Sequence, residues 1–495
     1  MRREDALERL ASTRFDLLVI GGGIIGAGIA AHASRMGLAV ALVEANDFAS
    51  GTSGASSKLI HGGLRYLRLG DVRLVREAHI ERRLLETVVA PHLVHRVPFL
   101  FPLYRSGPYR PLTVEAGILA YSTLAREKPQ GLIGPARARR IVPGLRTDGL
   151  RRCAAYMDAW TDDARLTLAN VTAAAEAGGI VVNRARVAAL RLVGGRVVGA
   201  EVEAGDATIP VLARVVVNAA GPRVDEVRCL ESPAAGTTVR LSKGAHALLD
   251  LAGPMRAALT IPHDDVRVSF AVPWRDQLLL GTTDDPVESP DDGLTATETD
   301  VQQILTEAGV ALEPELLERS RVRATFSGLR VLPVGQSTSV NTRRETVYTV
   351  GSGGMLSVAG GKLTTSRRIA LGALDRVRNE LGIHTLDRLA WPLPGAERHR
   401  SLAGHSELDL RTRSHLESTY GARAALVLAL AADDPSLLEP LSPLAPEIAA
   451  QVVYAGRHEW AADVDDVLWR RTGLGYRGAT DSVVRARIAS LLETG

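Results

Sequence analysis

A glycine-rich motif near the N-terminus has the spacing of a pyrophosphate-binding turn. Gly21, Gly23 and Gly26 follow a β-branched and aliphatic run at residues 15–20 and precede an alanine-rich segment that ends at Met36. Glycines at this spacing permit a tight turn, let the backbone approach a pyrophosphate and let a helix pack closely on a strand. The helix N-terminus adds partial positive charge for the phosphates. The motif therefore predicts a strand, a turn and a helix that bind a dinucleotide, rather than a signal peptide.

An acidic residue at the end of the next predicted strand extends this unit. Residues 39–44 are typical of a buried parallel strand, and Glu44 ends it, about 20 residues after Gly23. A carboxylate at that place can accept hydrogen bonds from a ribose. The combination favours a dinucleotide site over a glycine-rich turn in an ordinary α/β domain, but it does not distinguish FAD from NAD.

Two later segments could also contact such a ligand. Residues 215–222 form a hydrophobic run that ends in small residues, among them Gly221, and residues 360–365 contain a glycine pair that leads into a helix-like run to about Leu381. Backbone amides at such ends can lie against an anion or a flavin ring. Taken alone, either segment could equally be a plain strand end or helix start.

The surrounding pattern predicts an α/β protein. Helical spacing of apolar residues occurs at residues 71–86 and 164–177, and a pair of strands is predicted at residues 266–283. Beyond the proline-rich break at residues 391–395, residues 405–494 are mostly amphipathic helical segments. We therefore place the last domain boundary at that break.

Composition excludes several other classes. The chain has 495 residues, of which 46% are hydrophobic and 23% charged, as in ordinary folded proteins rather than disordered or coiled-coil ones. A net charge of +3 is too small to indicate nucleic acid. Cys153 and Cys229 form no C-x-x-C motif, so no metal site is predicted and a reducing compartment fits best.

Six motifs in a fixed order carry a resemblance to a known family. They lie at residues 56–67, 160–166, 243–246, 281–284, 327–333 and 360–365. On these motifs the chain resembles the FAD-dependent glycerol-3-phosphate dehydrogenases, the membrane-associated respiratory type linked to quinone, over nearly its whole length. Residues 458–460 and 465–472 also resemble the helical cap domain of that family. Ile25 and Gly54 depart from the usual residues, but both lie where backbone groups do most of the binding.

The resemblance implies an α/β fold in several parts. A Rossmann-like FAD-binding domain of the DAO/glutathione-reductase type would be assembled from residues 12–95, 156–235 and 326–385. An inserted β-sheet substrate domain would comprise a membrane-facing part at residues 96–155 and a sheet at residues 236–325. Residues 396–495 would form an α-helical C-terminal domain.

The resemblance also implies which residues contact the cofactor, FAD. His61 is interpreted as a structural histidine beside the flavin. The full set of implied FAD contacts is Gly21, Gly23, Gly26, Glu44, Ser56, Ser57, Lys58, Leu59, His61, Gly62, Val187, Gly221, Lys362, Leu363 and Thr364.

The implied reaction is the oxidation of sn-glycerol 3-phosphate to dihydroxyacetone phosphate. It needs a hydride acceptor, a base for the hydroxyl proton and cations for the phosphate. We assign Arg65, Arg330 and Lys362 to the phosphate and the alkoxide. Arg330 is a poor base because a guanidinium keeps its proton, so His246 is predicted to take the proton, although a buried structural histidine is the alternative. The implied catalytic residues are His246, Arg330 and Lys362. The implied substrate-binding residues are these three together with Arg65 and Tyr66. The Tyr66 ring could instead pack on the flavin or fill the core.

A membrane surface is predicted as the partner from an aromatic and basic stretch. Aromatic, aliphatic and arginine residues mix at 98–105, 109–112 and 118–121, followed by Arg126 and Lys128. Such a mixture suits a lipid interface, although a buried β-rich segment has a similar sequence. The longest other apolar run is far shorter than the ~20 residues that span a bilayer. We therefore expect a cytoplasmic protein bound peripherally to the inner face of the cell membrane; the resemblance also allows a homodimer.

Three alternatives remain at this point. One is the related glycerol-3-phosphate oxidase that uses oxygen, which the absence of that group's extra insertion makes less favoured. Another is an amino-acid oxidase on the same fold, acting on glycine or sarcosine, for which three cations in the motifs are more than a carboxylate needs. The last is a flavin-binding protein without catalysis.

Overall fold

The computed structural model describes residues 2–64, 67, 70–107, 109–251, 253–264, 267–334, 346–397, 402–405 and 407–494. The strands in these residues are, in chain order, β1 (Arg14–Ile20), β2 (Val40–Val43), β3 (Leu59–Ile60), β4 (Val94–Tyr104), β5 (Leu132–Ile133), β6 (Leu150–Thr161), β7 (Ile180–Val182), β8 (Arg186–Val193), β9 (Arg196–Ala204), β10 (Ala207–Asn218), β11 (Val239–Asp250), β12 (Ala258–Pro262), β13 (Val268–Trp274), β14 (Gln277–Gly281), β15 (Asp285–Val287), β16 (Val322–Pro333), β17 (Thr346–Val350) and β18 (Leu356–Gly360).

The α-helices follow the same order. They are α1 (Arg3–Ser12), α2 (Ile24–Arg35), α3 (Val72–Leu84), α4 (Pro111–Ala125), α5 (Pro135–Ile141), α6 (Asp163–Glu176), α7 (Val224–Glu231), α8 (Glu298–Ala308), α9 (Ser366–Arg376), α10 (Arg378–Leu381), α11 (Leu410–Tyr420), α12 (Ala424–Ala429), α13 (Ala449–His458), α14 (Val464–Asp466) and α15 (Ser482–Thr494). Within the described ranges, none of these helices combines the length and the apolar character needed to cross a bilayer.

The first sheet contains the predicted dinucleotide-binding unit. Its main order is β17-β18-β10-β1-β2-β7, with β2, β1, β10 and β18 parallel to one another. Helix α2 packs against α6 and α9. Strand residues such as Leu17 and Val19 are fully buried, as expected for a parallel sheet covered by helices. The predicted strand, turn and helix at residues 15–36 are confirmed.

The second sheet is assembled from distant parts of the chain. Its order is β15-β11-β14-β13-β12-β4-β6-β3, and β16 pairs with the other edge of β11. The predicted pair of strands at residues 266–283 is the antiparallel pair β13 and β14. Strands β3 to β6 precede strands β7 to β10 of the first sheet in the chain, and β11 to β16 follow them. Together these two groups form one separate sheet. The Rossmann-type fold with an additional β-sheet is confirmed.

The aromatic stretch requires a correction. Residues 98–105 were expected at a membrane surface, but residues 98–104 belong to β4, where Phe99 and Phe101 are buried. Phe99 stacks on Tyr156 with ring centroids 5.3 Å apart. An aromatic strand has the same sequence pattern whether it faces lipid or a protein core. The exposed large apolar side chains of this stretch are Leu112 and Leu119, both on α4.

The C-terminal part is α-helical, as predicted. Helices α11 to α15 enclose their own core, which includes Leu416, Val452, Val467 and Ile488. Several of its arginine and tyrosine side chains reach back into the rest of the protein and contact segments close to the site described next.

Candidate active site

A cavity of about 1500 Å³ is lined by residues from both sheets. Single-ligand pockets are commonly 300–1,000 Å³, so this cavity has room for more than one small ligand. Most of the predicted site residues line it: Gly21, Gly23, Glu44, Ser56, Ser57, Leu59, His61, Val187, Gly221, Arg330, Lys362, Leu363 and Thr364.

One end of the cavity is formed by the glycine-rich turn. Gly21 has a φ of +106°, and a Cβ at Gly26 would lie 1.9 Å from the Gly21 carbonyl oxygen. Gly26 therefore packs α2 against the turn rather than lining the cavity. Ser53, which the sequence motif did not single out, accepts a hydrogen bond from the Ile24 amide at 2.9 Å. The Ser53 hydroxyl thus accepts the hydrogen bond of the first backbone amide of α2.

Glu44 lies at the same end, at the end of β2. Its carboxylate accepts hydrogen bonds from the Gly22 amide at 2.7 Å and from the Asn46 amide at 2.8 Å. Burial raises the pKa of this carboxyl, although these backbone amides oppose the change. Glu44 therefore fixes the turn as well as facing the cavity.

A second glycine turn also lines the cavity. Gly360 and Gly361 have φ values of +76° and +91°, and a Cβ at Gly361 would lie 2.3 Å from the Ile369 side chain. The turn leads through Lys362 to Thr364, whose hydroxyl exchanges hydrogen bonds with the His61 backbone at 3.1 and 3.3 Å. Two glycine turns in the wall of one cavity fit a dinucleotide such as FAD, held mainly by backbone groups.

Arg330 also lines the cavity, with its guanidinium fixed in place. It donates to Asp284 at 2.8 Å, to the Thr283 carbonyl at 2.7 Å and to the Thr282 hydroxyl at 2.9 Å. A Cβ at Gly244 would lie 2.5 Å from the guanidinium, which explains that glycine. Asp284 is a site residue that sequence reasoning did not assign, although its motif was recognised.

His246 reaches the cavity only through Ser57. Its Nε2 lies 2.9 Å from Ser57 Oγ, and its ring stacks on Phe326 at 4.7 Å. Ser57 lines the cavity, whereas His246 is buried behind it. Burial, with the charges of Arg330 and Lys58, lowers the pKa of His246 to about 3. The imidazole is therefore neutral at physiological pH, and it exchanges a hydrogen bond with Ser57 rather than facing the cavity directly.

A pH prediction follows from the lowered pKa of His246. The unfolded chain binds a proton on this residue at its ordinary value of 6.5, but the folded protein does not until about 3. Stability is therefore lost as the pH falls through this interval. Between about pH 6 and pH 4.5, the free energy of unfolding of the native protein should fall more steeply than that of His246→Asn, by about 1.4 kcal/mol per pH unit. Urea unfolding at several pH values measures both slopes, and parallel slopes would contradict the assignment.

Gly62 contacts a buried acidic group that the sequence did not reveal. Its amide donates to Asp158 at 3.2 Å, and the Tyr121 hydroxyl donates to the same carboxyl at 2.9 Å. Burial raises the pKa of Asp158 to about 7, against the opposing effect of Arg82. Gly62 is not among the residues that line the cavity, whereas Asp158 is, so the contact of Gly62 with FAD stays a prediction.

Lys58 also lies outside the cavity. Its ammonium is buried 2.5 Å from Asp163, beneath the ring of Tyr476 at 4.8 Å. Burial opposes its charge, but Asp163 and its neighbours hold the pKa of Lys58 above its ordinary value. The prediction that Lys58 contacts the cofactor is therefore not met by its side chain, because Asp163 takes that charge. Arg65 and Tyr66, the remaining predicted substrate contacts, lie outside the described residues.

Comparisons with known proteins agree with this site. A family model described as FAD dependent oxidoreductase matches residues 16–367, and one described as the C-terminal domain of alpha-glycerophosphate oxidase matches residues 389–493. The protein is an FAD-dependent oxidoreductase. Glycerol-3-phosphate dehydrogenase 2 of Mycobacterium tuberculosis is 36% identical over 485 residues, covering 95% of this chain and 83% of that protein. The aerobic glycerol-3-phosphate dehydrogenase of Escherichia coli is 35% identical over 486 residues, covering 93% and 94%.

A solved structure extends the likeness to the fold. The glycerol-3-phosphate dehydrogenase from Bacillus halodurans, complexed with FAD, superposes with a TM-score of 0.77 at 27% identity and covers 99% of this chain and 96% of that one. The chain belongs to the family of FAD-dependent glycerol-3-phosphate dehydrogenases. The predicted family and cofactor are confirmed.

Proposed function

We propose that this protein oxidises sn-glycerol 3-phosphate to dihydroxyacetone phosphate and passes the electrons to a membrane quinone. The observation that carries the proposal is that Arg330 and Lys362 line the same cavity as the dinucleotide turn. Two cations in the wall of an FAD-binding cavity suit a dianionic phosphate better than the single carboxylate of an amino acid. When bound, FAD supplies the acceptor for the hydride that leaves C2 of the substrate.

The chain's own residues bind the substrate and move its proton. Arg330 is held by Asp284, Thr282 and Thr283, so its positive charge at the cavity is oriented before the substrate binds. Lys362 adds a point charge for the phosphate or the developing alkoxide. The hydroxyl proton would pass to Ser57 as the Ser57 proton passes to neutral His246, along the 2.9 Å contact between them. The base predicted from the sequence thus acts through a serine hydroxyl.

The side chains that line the cavity favour a quinone as electron acceptor. The cavity lining includes an apolar and aromatic set of side chains, Phe99, Phe101, Tyr109, Ile118 and Phe270. A planar apolar ring can stack on such side chains, whereas oxygen needs no such surface. Phe99 and Phe101, which are buried rather than facing lipid, therefore support the acceptor from inside the cavity.

Helix α4 supports a peripheral site on the membrane. Leu112 and Leu119 are 79% and 51% exposed on its outer surface. Exposed arginines accompany them in the same stretch of chain, at positions Arg105, Arg110, Arg126, Arg137, Arg139, Arg140, Arg146, Arg151 and Arg152. Exposed apolar side chains with exposed cations in the same part of the chain suit the surface of an anionic membrane, here the inner face of the cell membrane.

Turnover with defined acceptors tests this function. With glycerol 3-phosphate as substrate, we expect rapid reduction of a short-chain quinone under nitrogen and little hydrogen peroxide in air. Glycerol and glycine serve as control substrates. Peroxide formed in step with substrate consumption, without quinone reduction, would establish the oxygen-using oxidase instead.

A further inference from the structure

The C-terminal domain contacts the cavity wall from outside at loop 44–50. Glu44, Ala45, Asn46, Ala49 and Ser50 of this loop line the cavity. The two residues between them, Asp47 and Phe48, are buried on the opposite side, against the C-terminal domain. One loop therefore joins the nucleotide end of the FAD site to a domain of which no described residue lines the cavity.

Asp47 is the centre of this contact. Its carboxylate accepts two parallel hydrogen bonds from Arg471, each 2.7 Å long, and a third from Arg470 at 2.5 Å. Asp47 and Arg471 are 1% and 0% exposed. Burial opposes ionisation, but Arg471 and Arg470 hold the pKa of Asp47 well below its ordinary value. The pair is therefore fully charged and geometrically fixed.

Phe48 lies between the C-terminal domain and the glycine turn and contacts both. Its ring meets that of Trp460 edge to face at 5.6 Å. On its other side, a Cβ added at Gly22 would lie 2.5 Å from the Phe48 ring. Because Gly22 is part of the turn that faces the cavity, a shift of the C-terminal domain would move this ring against the turn.

Residues 183–184, which lie next to loop 44–50, are also held by contacts with the C-terminal domain. Asn183 donates to Asp47 at 3.1 Å and to the Trp460 carbonyl at 2.8 Å, and Arg184 donates to Asp466 at 2.8 Å. The Arg184 amide in turn donates to the Asn46 carbonyl at 2.7 Å. This segment leads directly into β8 and the predicted FAD contact Val187.

Backbone conformation shows that both segments are held against a local preference. Ala49 and Arg184 have φ values of +63° and +50°. A side chain in this left-handed region costs about 1–2 kcal/mol, and such a conformation persists only where surrounding contacts enforce it. In both segments those contacts include side chains of the C-terminal domain.

We propose that the C-terminal domain is a positioning element of the FAD site. By binding Asp47 through Arg470 and Arg471, it holds loop 44–50 in the conformation that receives the nucleotide end of FAD. Docking of the domain and binding of FAD are then coupled, and each strengthens the other by the same factor. The inference rests on FAD binding at this end of the cavity, and not on the substrate or the acceptor.

The affinity for FAD tests the coupling directly. In apoprotein stripped of FAD, Asp47→Asn should weaken FAD binding by about 5- to 150-fold, the usual range for coupled sites. Quenching of flavin fluorescence measures the Kd. At saturating FAD, the KM for glycerol 3-phosphate should stay unchanged, because the substrate end of the cavity is not altered. Arg471→Lys, which keeps the charge but loses the paired hydrogen bonds, should give an intermediate Kd.

Glu176→Gln is the matched control. Glu176 on α6 pairs with Arg423 of the C-terminal domain at 2.6 Å, but it is 51% exposed and away from the cavity lining. Its Kd for FAD should equal that of the native protein. A lower unfolding temperature of Asp47→Asn with an unchanged Kd would reduce Asp47 to a structural role and overturn the proposal.

Hydrogen exchange of the native protein provides a test that needs no variant. None of the described residues 459–472 lines the cavity, yet this segment contains Trp460, Arg470 and Arg471. Saturating FAD should slow amide exchange in residues 459–472, whereas α15, which has no such contact, should change little. Equal exchange of residues 459–472 with and without FAD would contradict the coupling even if Asp47→Asn failed to fold.

Discussion

Replacing Lys362 with methionine is expected to lower kcat/KM for glycerol 3-phosphate by about 10²- to 10³-fold, the usual effect of removing one group that stabilises developing charge. The Lys362 side chain lines the cavity and is only 8% exposed. The two left-handed glycines before it direct it there. Methionine preserves length and apolar packing but removes the charge. Steady-state kinetics with a soluble quinone give the value, and the flavin absorbance of the purified variant shows whether FAD is retained.

Lys128→Met is the control for this variant. Lys128 is one of the four lysines of the chain and is exposed. It should retain native kcat/KM with a soluble quinone. If Lys362→Met retained FAD and native kcat/KM, the assignment of Lys362 to the phosphate or alkoxide would be wrong.

Replacing Lys58 with methionine is expected to destabilise the protein by about 3–5 kcal/mol, because it leaves a buried charge without its partner. Asp163 is fully buried, and besides Lys58 it accepts hydrogen bonds from the Ser56 amide at 2.9 Å and the Ser56 hydroxyl at 2.7 Å. Since Ser56 and Ser57 line the cavity, the variant should also bind FAD less tightly. Urea unfolding of the apoprotein and the holoprotein measures both effects.

Two variants sharpen this test. Arg73→Met breaks the Arg73–Glu77 pair, whose arginine is 87% exposed, and should change stability by less than about 0.5 kcal/mol. Lys58→Met combined with Asp163→Leu removes both charges and should recover part of the lost stability. A free energy of unfolding of Lys58→Met close to that of the native protein would show that the Lys58–Asp163 pair does not hold residues 56–58 in place.

Local sequence patterns predicted the strand, turn and helix that form the dinucleotide end of the site. Gly21, Gly23, Gly26 and Glu44 lie within one strand-turn-helix-strand unit, so their spacing along the chain determines their spacing in space. Arg330, His246 and Lys362 belong to distant strands and turns, and only the resemblance to a family brought them together in advance.

Contacts between distant segments explain what the sequence did not show. Lys58 is 105 residues from Asp163 and 418 from Tyr476 in the chain, so its burial under the cavity could not be read from its motif. Whether His246 or Ser57 faces the cavity depends on how β11 packs behind residues 56–57. The orientation of β4 was likewise undetermined, because a hydrophobic aromatic strand suits a membrane surface and a protein core equally.

Anaerobic reduction of the bound flavin tests the central claim most directly. The purified yellow protein is mixed with glycerol 3-phosphate without oxygen, and the long-wavelength absorbance band of the flavin is followed, with glycerol and glycine as controls. We predict bleaching by glycerol 3-phosphate alone. An unchanged flavin spectrum in protein that retains FAD, or bleaching by glycine instead, would contradict the proposed substrate.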